Sequence, residues 1–454
     1  MMPAAALPAP VSVSLPIPEA AALQRRLDFL LHHDALTCLP NRARMRQCFE
    51  RAAVGDVRLA LMALDLLEFL PARDNIGHEA GEQLLLQAAE RLQACLRGSD
   101  VLGHLGGSEF VILLADPASA DAAQQVGTAL QHAFAEPFLI DGLAITLPLC
   151  IGIGLFPDDG HAFDEVQRAA RIAVAHAADN GRDHCIFCTA QMRRDTAQRL
   201  RLQAQLRGAV VNRELLLHYQ PQIAIGSGRV VGVEALLRWR RPDGVLAYPG
   251  SFISLAERSG LIVPMGVWVL NEACRQARAW EDSGLPALTV AVNLSALQFR
   301  FGNIVATVTD ALERHSLPAA RLELELTESI LLHDSESVNA SLQALKAMGV
   351  ALSIDDFGTG YSNLSYLKSL AVDKLKIDQS FVRGLGEDAG NSAIVKAIVQ
   401  LGHTLQLSVL AEGVESAQQL ALLESFGCDE VQGYLFSKPM EAARLAGLLS
   451  ARQV

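Results

Sequence analysis

VALSIDDFG, Val350–Gly358, is a short apolar run that closes on two adjacent aspartates, Asp355 and Asp356. Runs of this length and apolarity are the pattern of a strand buried on both faces. Seven similar runs surround it: LLLHYQPQI from residue 215, VVGVEALLRW from 230, TVAVNLS from 289, LELELTES from 322, VDKLKIDQSF from 372, LSVLAEGVE from 407 and EVQGYLFSKP from 430. Helical patterns fall between them, among them GVWVLNEACRQARAW, SESVNASLQALKAM, SAIVKAIVQLGHTL and AQQLALLESF. Eight strands alternating with helices predict a (β/α)8, TIM-like barrel.

In such a barrel the chemistry gathers at the C-terminal ends of the strands. The residues ending the runs are Gln220, Glu234, Asn293, Glu325, Asp355 with Asp356, Lys376, Glu412 and Gln432. Any one of them alone is adequately explained as a helix cap or a solvated rim residue. Together they place carboxylates that repel one another unless cations sit between them. Oxygen ligands without His or Cys suit Mg²⁺ or Mn²⁺ better than Zn²⁺. Two such ions would clamp the attacking and leaving oxygens of a phosphoryl displacement. Lys376 could then neutralise a phosphate oxygen or orient the attacking water, and Arg238 could hold a second phosphate. The reading from the residues is a two-metal phosphodiesterase.

The same segments, YQPQ, EALLRW, VNLS, LELTES, DDFGTGYSNLSYL, KLKID, AEGVE and QGYLFSKP, resemble the EAL-domain family of cyclic di-GMP phosphodiesterases over residues 213 to 442. The resemblance implies hydrolysis of cyclic di-GMP to linear pGpG with two divalent cations, Mg²⁺ or Mn²⁺. It also implies roles by position. Glu234, Asn293, Glu325 and Asp355 would ligate the first metal, with Asp355 bridging. Asp356 would hold the second, Glu412 and Gln432 would act through it, and Lys376 would position or activate the water. Glu328 would brace the loop after Asp356, while Gln220, Leu236 and Arg238 would grip the dinucleotide. A homodimer through the barrel is implied as well. The alternative is a cyclic di-GMP receptor without turnover, which a lost metal ligand would favour; none is lost.

The first half reads differently. A 454-residue chain exceeds one compact core, and residues 24 to 188 mix strands and helices as an α/β domain, following a mobile tail at 1–23. GHLGGSEFVILL, Gly103–Leu114, is a hairpin whose Gly106 and Gly107 give the backbone freedom a tight turn needs. With HDALTCLPNR, GHEAGEQLL, IGIG and NGR, this half resembles the GGDEF family of diguanylate cyclases. Its chemistry departs from that family: Ser108 stands where a metal-holding acid is required, although Asp65 is retained. Leu70 and Ala178 replace two lysines, Arg73 replaces a guanine-reading Asn, and Glu82 replaces that residue's partner Asp, while Arg182 remains. The resemblance therefore implies a degenerate, structural or regulatory domain. Arg97 and Asp100 match the family's product-inhibition motif and are a possible allosteric site, though such a pair also forms ordinary helix-end structure.

Residues 189 to 212 read as a connecting helix, Arg-rich on a solvated face, and 213 to 454 as the barrel domain. A net charge of -12 argues against binding a nucleic-acid polymer. Eight scattered cysteines without a disulfide framework suit the cytoplasm, with Cys185 and Cys188 read as core and not as a zinc or redox pair. No apolar run is long enough to span a membrane.

Overall fold

The computed structural model describes residues 17–115, 120–179, 184–327, 336–358, 372–386 and 388–451. They form two compact units, residues 1–198 and 199–454. The first contains a five-stranded sheet of β1 (Leu59–Leu66), β2 (Val101–Gly106), β3 (Glu109–Ala115), β4 (Leu149–Phe156) and β5 (Cys185–Phe187), in the order β2-β3-β1-β4-β5. Only the last pair is parallel. β1 sends Ala60, Met62 and Leu64 into one apolar cluster and Leu59 and Leu61 into another. That period-2 alternation lets a continuous apolar run serve helices on both faces. Asn41 caps the helix Arg42–Ala52 by accepting from the Arg44 amide.

The second unit is an eight-stranded barrel. Its strands are β6 (Leu215–Ala224), β7 (Val230–Arg240), β8 (Thr289–Leu294), β9 (Leu322–Thr327), β10 (Ala351–Phe357), β11 (Lys374–Ile377), β12 (Ser408–Ala411) and β13 (Glu430–Val431). β7 through β13 run parallel, and β6 closes the ring by pairing with both β7 and β13. β6 runs antiparallel to both, so the first two strands form a hairpin where a regular (β/α)8 unit would place a helix. The eighth run is shorter than its sequence suggests: only Glu430 and Val431 are strand, and the chain turns at Gly433.

This inversion fixes where the chain enters. Leu215, first in β6, lies opposite Trp239 near the end of β7, at the rim where the parallel strands finish. Glu214 fastens that point. Its amide donates to the Ala209 carbonyl at the end of the helix Ala190–Ala209, its carbonyl accepts from the Arg240 amide, and its carboxylate accepts from Trp239 Nε1 at 3.1 Å.

Outside the barrel, the helix Ile262–Asp282 buries Ile262, Met265, Val269, Ala273 and Trp280, a stripe at helical spacing. Ser416 and Gln419 form a capping box that starts the helix Ala417–Phe426, which ends at the left-handed Gly427. Among the described residues no helix is long and apolar enough to cross a membrane. All eight cysteines are free; Cys185 is half-buried and packs against an apolar cluster of the first unit, while Cys188 is half-buried outside it.

Gly433, one residue after Gln432, is packed so closely on Val414 that a Cβ would come within 2.1 Å of its carbonyl oxygen. Backbone cannot yield there as a side chain could. Gly433→Ala should cost about 1–3 kcal/mol of barrel stability, seen as a lower urea midpoint with an unchanged slope; an unaltered midpoint would mean that the turn relaxes freely.

Candidate functional site

Alternation along each strand stacks the barrel's interior in layers. At the rim, Gln220, Glu234, Asn293, Glu325, Asp355, Lys376, Glu412 and Gln432 occupy one layer, one from each strand or the residue following it. The parallel register sets Asn293 beside Glu325, and the antiparallel hairpin sets Gln220 opposite Glu234. Of the candidates that end a strand run, only Asp356 stands outside this layer, exposed beside Asp355.

Lys376 is its hub. The side chain is wholly buried, and its ammonium lies 2.9 Å from Glu325 Oε1, 2.9 Å from Asp355 Oδ1 and 2.6 Å from Glu412 Oε1. Burial alone would push its pKa down, but Glu325, Glu412, Glu234 and Asp355 together hold it well above its ordinary value. On the other side, Asn293 Nδ2 donates to Glu234 Oε1 at 2.7 Å. Gln432 donates to Glu234 Oε2 and to Gln220 Oε1, and Gln220 in turn donates to the Ser437 carbonyl. Gln432 is therefore tied to Glu234.

The carboxylates retain more negative charge than one ammonium balances. Burial lifts Glu325 well above the usual carboxylate range despite Lys376. Burial likewise lifts Glu412 to about 8, with Lys376 opposing and Asp355 and Glu234 adding to the rise. Asp356, whose backbone is left-handed with φ 53°, rises to about 6 through burial and then the neighbouring Asp355 and Asp378. Asp378 was not among the sequence candidates. It caps the next helix through the Ser380 amide, and its closeness to Asp356 comes from the turn after β11, which strand-end reasoning does not see.

Asp355, Asp356 and Glu412 each offer an oxygen within 4.8 Å of the others. Glu325 Oε1 is held by Lys376, and its buried Oε2 has no hydrogen-bond partner among the described residues. An all-oxygen donor set with an orphaned buried carboxylate oxygen fits a hard divalent cation.

Leu236 and Arg238 follow Glu234 on the same face of β7. Leu236 lines a cleft of about 570 Å³ that reaches Asn293 and is walled by Ile253, Met265 and Val269. Arg238 is buried; its Nη1 donates to the Leu237 carbonyl, its Nε has no partner, and its guanidinium carbon lies 5.0 Å from the centre of the exposed Tyr248 ring. Glu328 and residues 359–367 of the DFGTGYSNLSYL loop lie outside the described residues.

In the first unit, Ser108 Oγ donates to Asp65 Oδ1 at 2.7 Å, and Arg171 pairs with Glu109 at 3.2 Å. Gly106 and Gly107 both have positive φ, 108° and 59°. Leu70 and Ala178 line the cleft beside this turn with Val174 and Ala175. Asp100 accepts from the Arg97 amide at 3.0 Å, closing an exposed local turn. Arg182 lies outside the described residues.

Residues 203–439 match the EAL domain, and residues 31–184 match the diguanylate cyclase GGDEF domain. The chain is 44% identical over 429 residues to the bifunctional diguanylate cyclase/cyclic di-GMP phosphodiesterase MucR of Pseudomonas aeruginosa, covering 94% of this chain and 62% of that protein. It is 39% identical over 426 residues to the cyclic di-GMP phosphodiesterase NbdA of the same organism, covering 93% and 54%. The chain thus spans little more than half the length of these relatives. Among solved structures, the PaMucR phosphodiesterase in complex with c-di-GMP aligns with TM-score 0.52 and 51% identity over 54% of this chain and 99% of that one. The Vibrio cholerae LapD S helix-GGDEF-EAL structure, at 17% identity and TM-score 0.56 over 92% of this chain and 100% of that one, shares the fold.

The raised carboxyls carry a sign. Asp356 and Glu412 keep protons in the folded chain at pH values where the unfolded chain has lost them. The stability they contribute is present near pH 4 and lost as pH rises through about 6 and about 8. In the presence of chelator, the urea midpoint should fall between pH 5 and pH 8.5, and added Mg²⁺ should raise it more at pH 8 than at pH 6, because cation and protons compete. A midpoint that climbs with pH over that range would contradict this charge balance.

Proposed function

Because the chain belongs to the EAL domain family and carries a GGDEF domain ahead of its barrel, we propose that the barrel hydrolyses cyclic di-GMP to linear pGpG. The observation that carries this reading is the rim layer in which four carboxylates, Glu234, Glu325, Asp355 and Glu412, converge around the buried ammonium of Lys376, with the exposed Asp356 beside them. Such a layer suits cations and an anionic phosphodiester, and no simpler structural purpose calls for it.

In this reading Glu234, Asn293, Glu325 and Asp355 hold one Mg²⁺ or Mn²⁺, and Asp355 and Asp356 hold a second together with Glu412. Bound there, the cations offset phosphate charge and make a water nucleophilic near neutral pH. Lys376, fixed by three carboxylates, keeps its proton and donates hydrogen bonds that orient the attacking water or a phosphate oxygen. Gln432 and Asn293 keep Glu234 from turning away by occupying both of its oxygens. Gln220, Leu236 and Arg238 grip the dinucleotide: the apolar cleft beside Leu236 takes flat surface, and the buried guanidinium takes phosphate or base oxygen. The active form is a homodimer through the barrel.

For the first unit we propose no cyclase activity. The Ser108 hydroxyl cannot supply the charge of a metal-holding acid and already occupies Asp65. Leu70 and Ala178 offer a phosphate nothing but apolar surface. Arg97 and Asp100 act as local structure.

Glu234→Ala and Asp355→Ala should each abolish pGpG formation, by at least about a hundredfold in kcat, with the fold retained; chromatography of the nucleotides reads the outcome. Wild-type rates in either variant would overturn the ligand assignment, and saturable binding by wild type without product would make the chain a receptor. Given GTP and Mg²⁺ instead, the protein should form no cyclic di-GMP, and any accumulation of it would restore the first unit as a catalyst.

A further inference from the structure

A second buried charge cluster lies one step below the rim layer, and the reaction just described does not use it. Lys374 precedes Lys376 by two residues on β11, so both side chains face the interior. The Lys374 ammonium lies 2.8 Å from Glu323 Oε2 and 2.9 Å from Glu430 Oε2. Glu323 stands two residues before Glu325 on β9, and Glu430 two before Gln432 on β13. The lower triad is thus built on three strands that also supply the layer above.

Its burial is costly. Lys374 is 9% exposed and Glu323 2%. Nearby Glu323 Oε1, Ser353 Oγ and Gln222 Nε2 are buried without a hydrogen-bond partner among the described residues. Well-packed apolar side chains of similar volume usually stabilise such a position as well or better, so packing alone does not account for the charges. A charged spoke can instead fix register. Lys374 reaches past β10 to Glu323 on one side and past β12 to Glu430 on the other, joining three strands that do not pair directly with one another. Two residues along a strand is about 6.6 Å. Any slip in this plane therefore passes to Lys376, Glu325 and Gln432 together.

We infer that Lys374, Glu323 and Glu430 are positioning residues that hold Lys376, Glu325 and Gln432 at the height where they act, without touching substrate or cation. The kinetic side of this inference rests on the phosphodiesterase reading. The test is the full-length triple variant Lys374→Met/Glu323→Gln/Glu430→Gln, which removes every charge and leaves no buried carboxylate unpaired. With the melting temperature near that of wild type, kcat on cyclic di-GMP should fall at least about tenfold and KM stay within about twofold, because a small misplacement of reacting groups costs rate more than binding. Mn²⁺ affinity, followed through the free-ion paramagnetic resonance signal, should weaken by at least about threefold. A folded triple variant with wild-type kcat and Mn²⁺ affinity would overturn the inference. Should that variant fail to fold, Glu430→Gln alone decides by the same two measurements, unchanged values counting against the triad. If wild type forms no product, the phosphodiesterase reading fails while the Mn²⁺ titration still judges the positioning role.

Discussion

The barrel depends on one ammonium. Lys376 is wholly enclosed, and it is tolerable there because three carboxylates from neighbouring strands lie within ion-pair distance of it. The dependence is mutual: without that charge, Glu325, Asp355 and Glu412 would face one another in a space that water does not reach freely. The arrangement is still short of positive charge, which is why burial carries Glu325 and Glu412 so far above the usual carboxylate range. A site poised in this way favours added cations, and its protons are what they displace.

Most of the barrel was legible because parallel strands buried on both faces read as continuous apolar runs, and each run's last polar residue falls at the rim. Three features were not. The reversed direction of β6 leaves no mark on an apolar run, since LLLHYQPQI is the same pattern whichever way it points. The run EVQGYLFSKP overstates its strand because Gly433 turns the chain against Val414, a contact made at long sequence range. Asp378 comes to Asp356 through a helix-capping turn, so it was hidden behind a local role that explains it completely. The lower triad could have been found: stepping back two residues from Glu325, Lys376 and Gln432 lands on Glu323, Lys374 and Glu430, all charged at positions where a barrel core favours Val, Ile or Leu.

The first unit teaches the opposite lesson about resemblance. Its hairpin keeps the backbone of the turn, with both glycines at positive φ, while the serine between Gly107 and Glu109 hydrogen-bonds the one acid that remains opposite it. Shape there is held by backbone sterics and by alternating apolar packing on β1, which Ser108, Leu70 and Ala178 leave intact. Charge is a separate property of the same turn, and the two can part company without disturbing the sheet.

The reversal of β6 also decides at which end the barrel is addressed. In a barrel of uniform direction, the incoming chain reaches the floor, a full strand length from the chemistry. Here it arrives at the mouth, where Glu214 joins the last turn of the preceding helix to Trp239 and Arg240 in a single knot, one residue beyond Arg238. The anchor of β6 is therefore part of the barrel's lip, so whatever strains Glu214 strains the end of β7 with it.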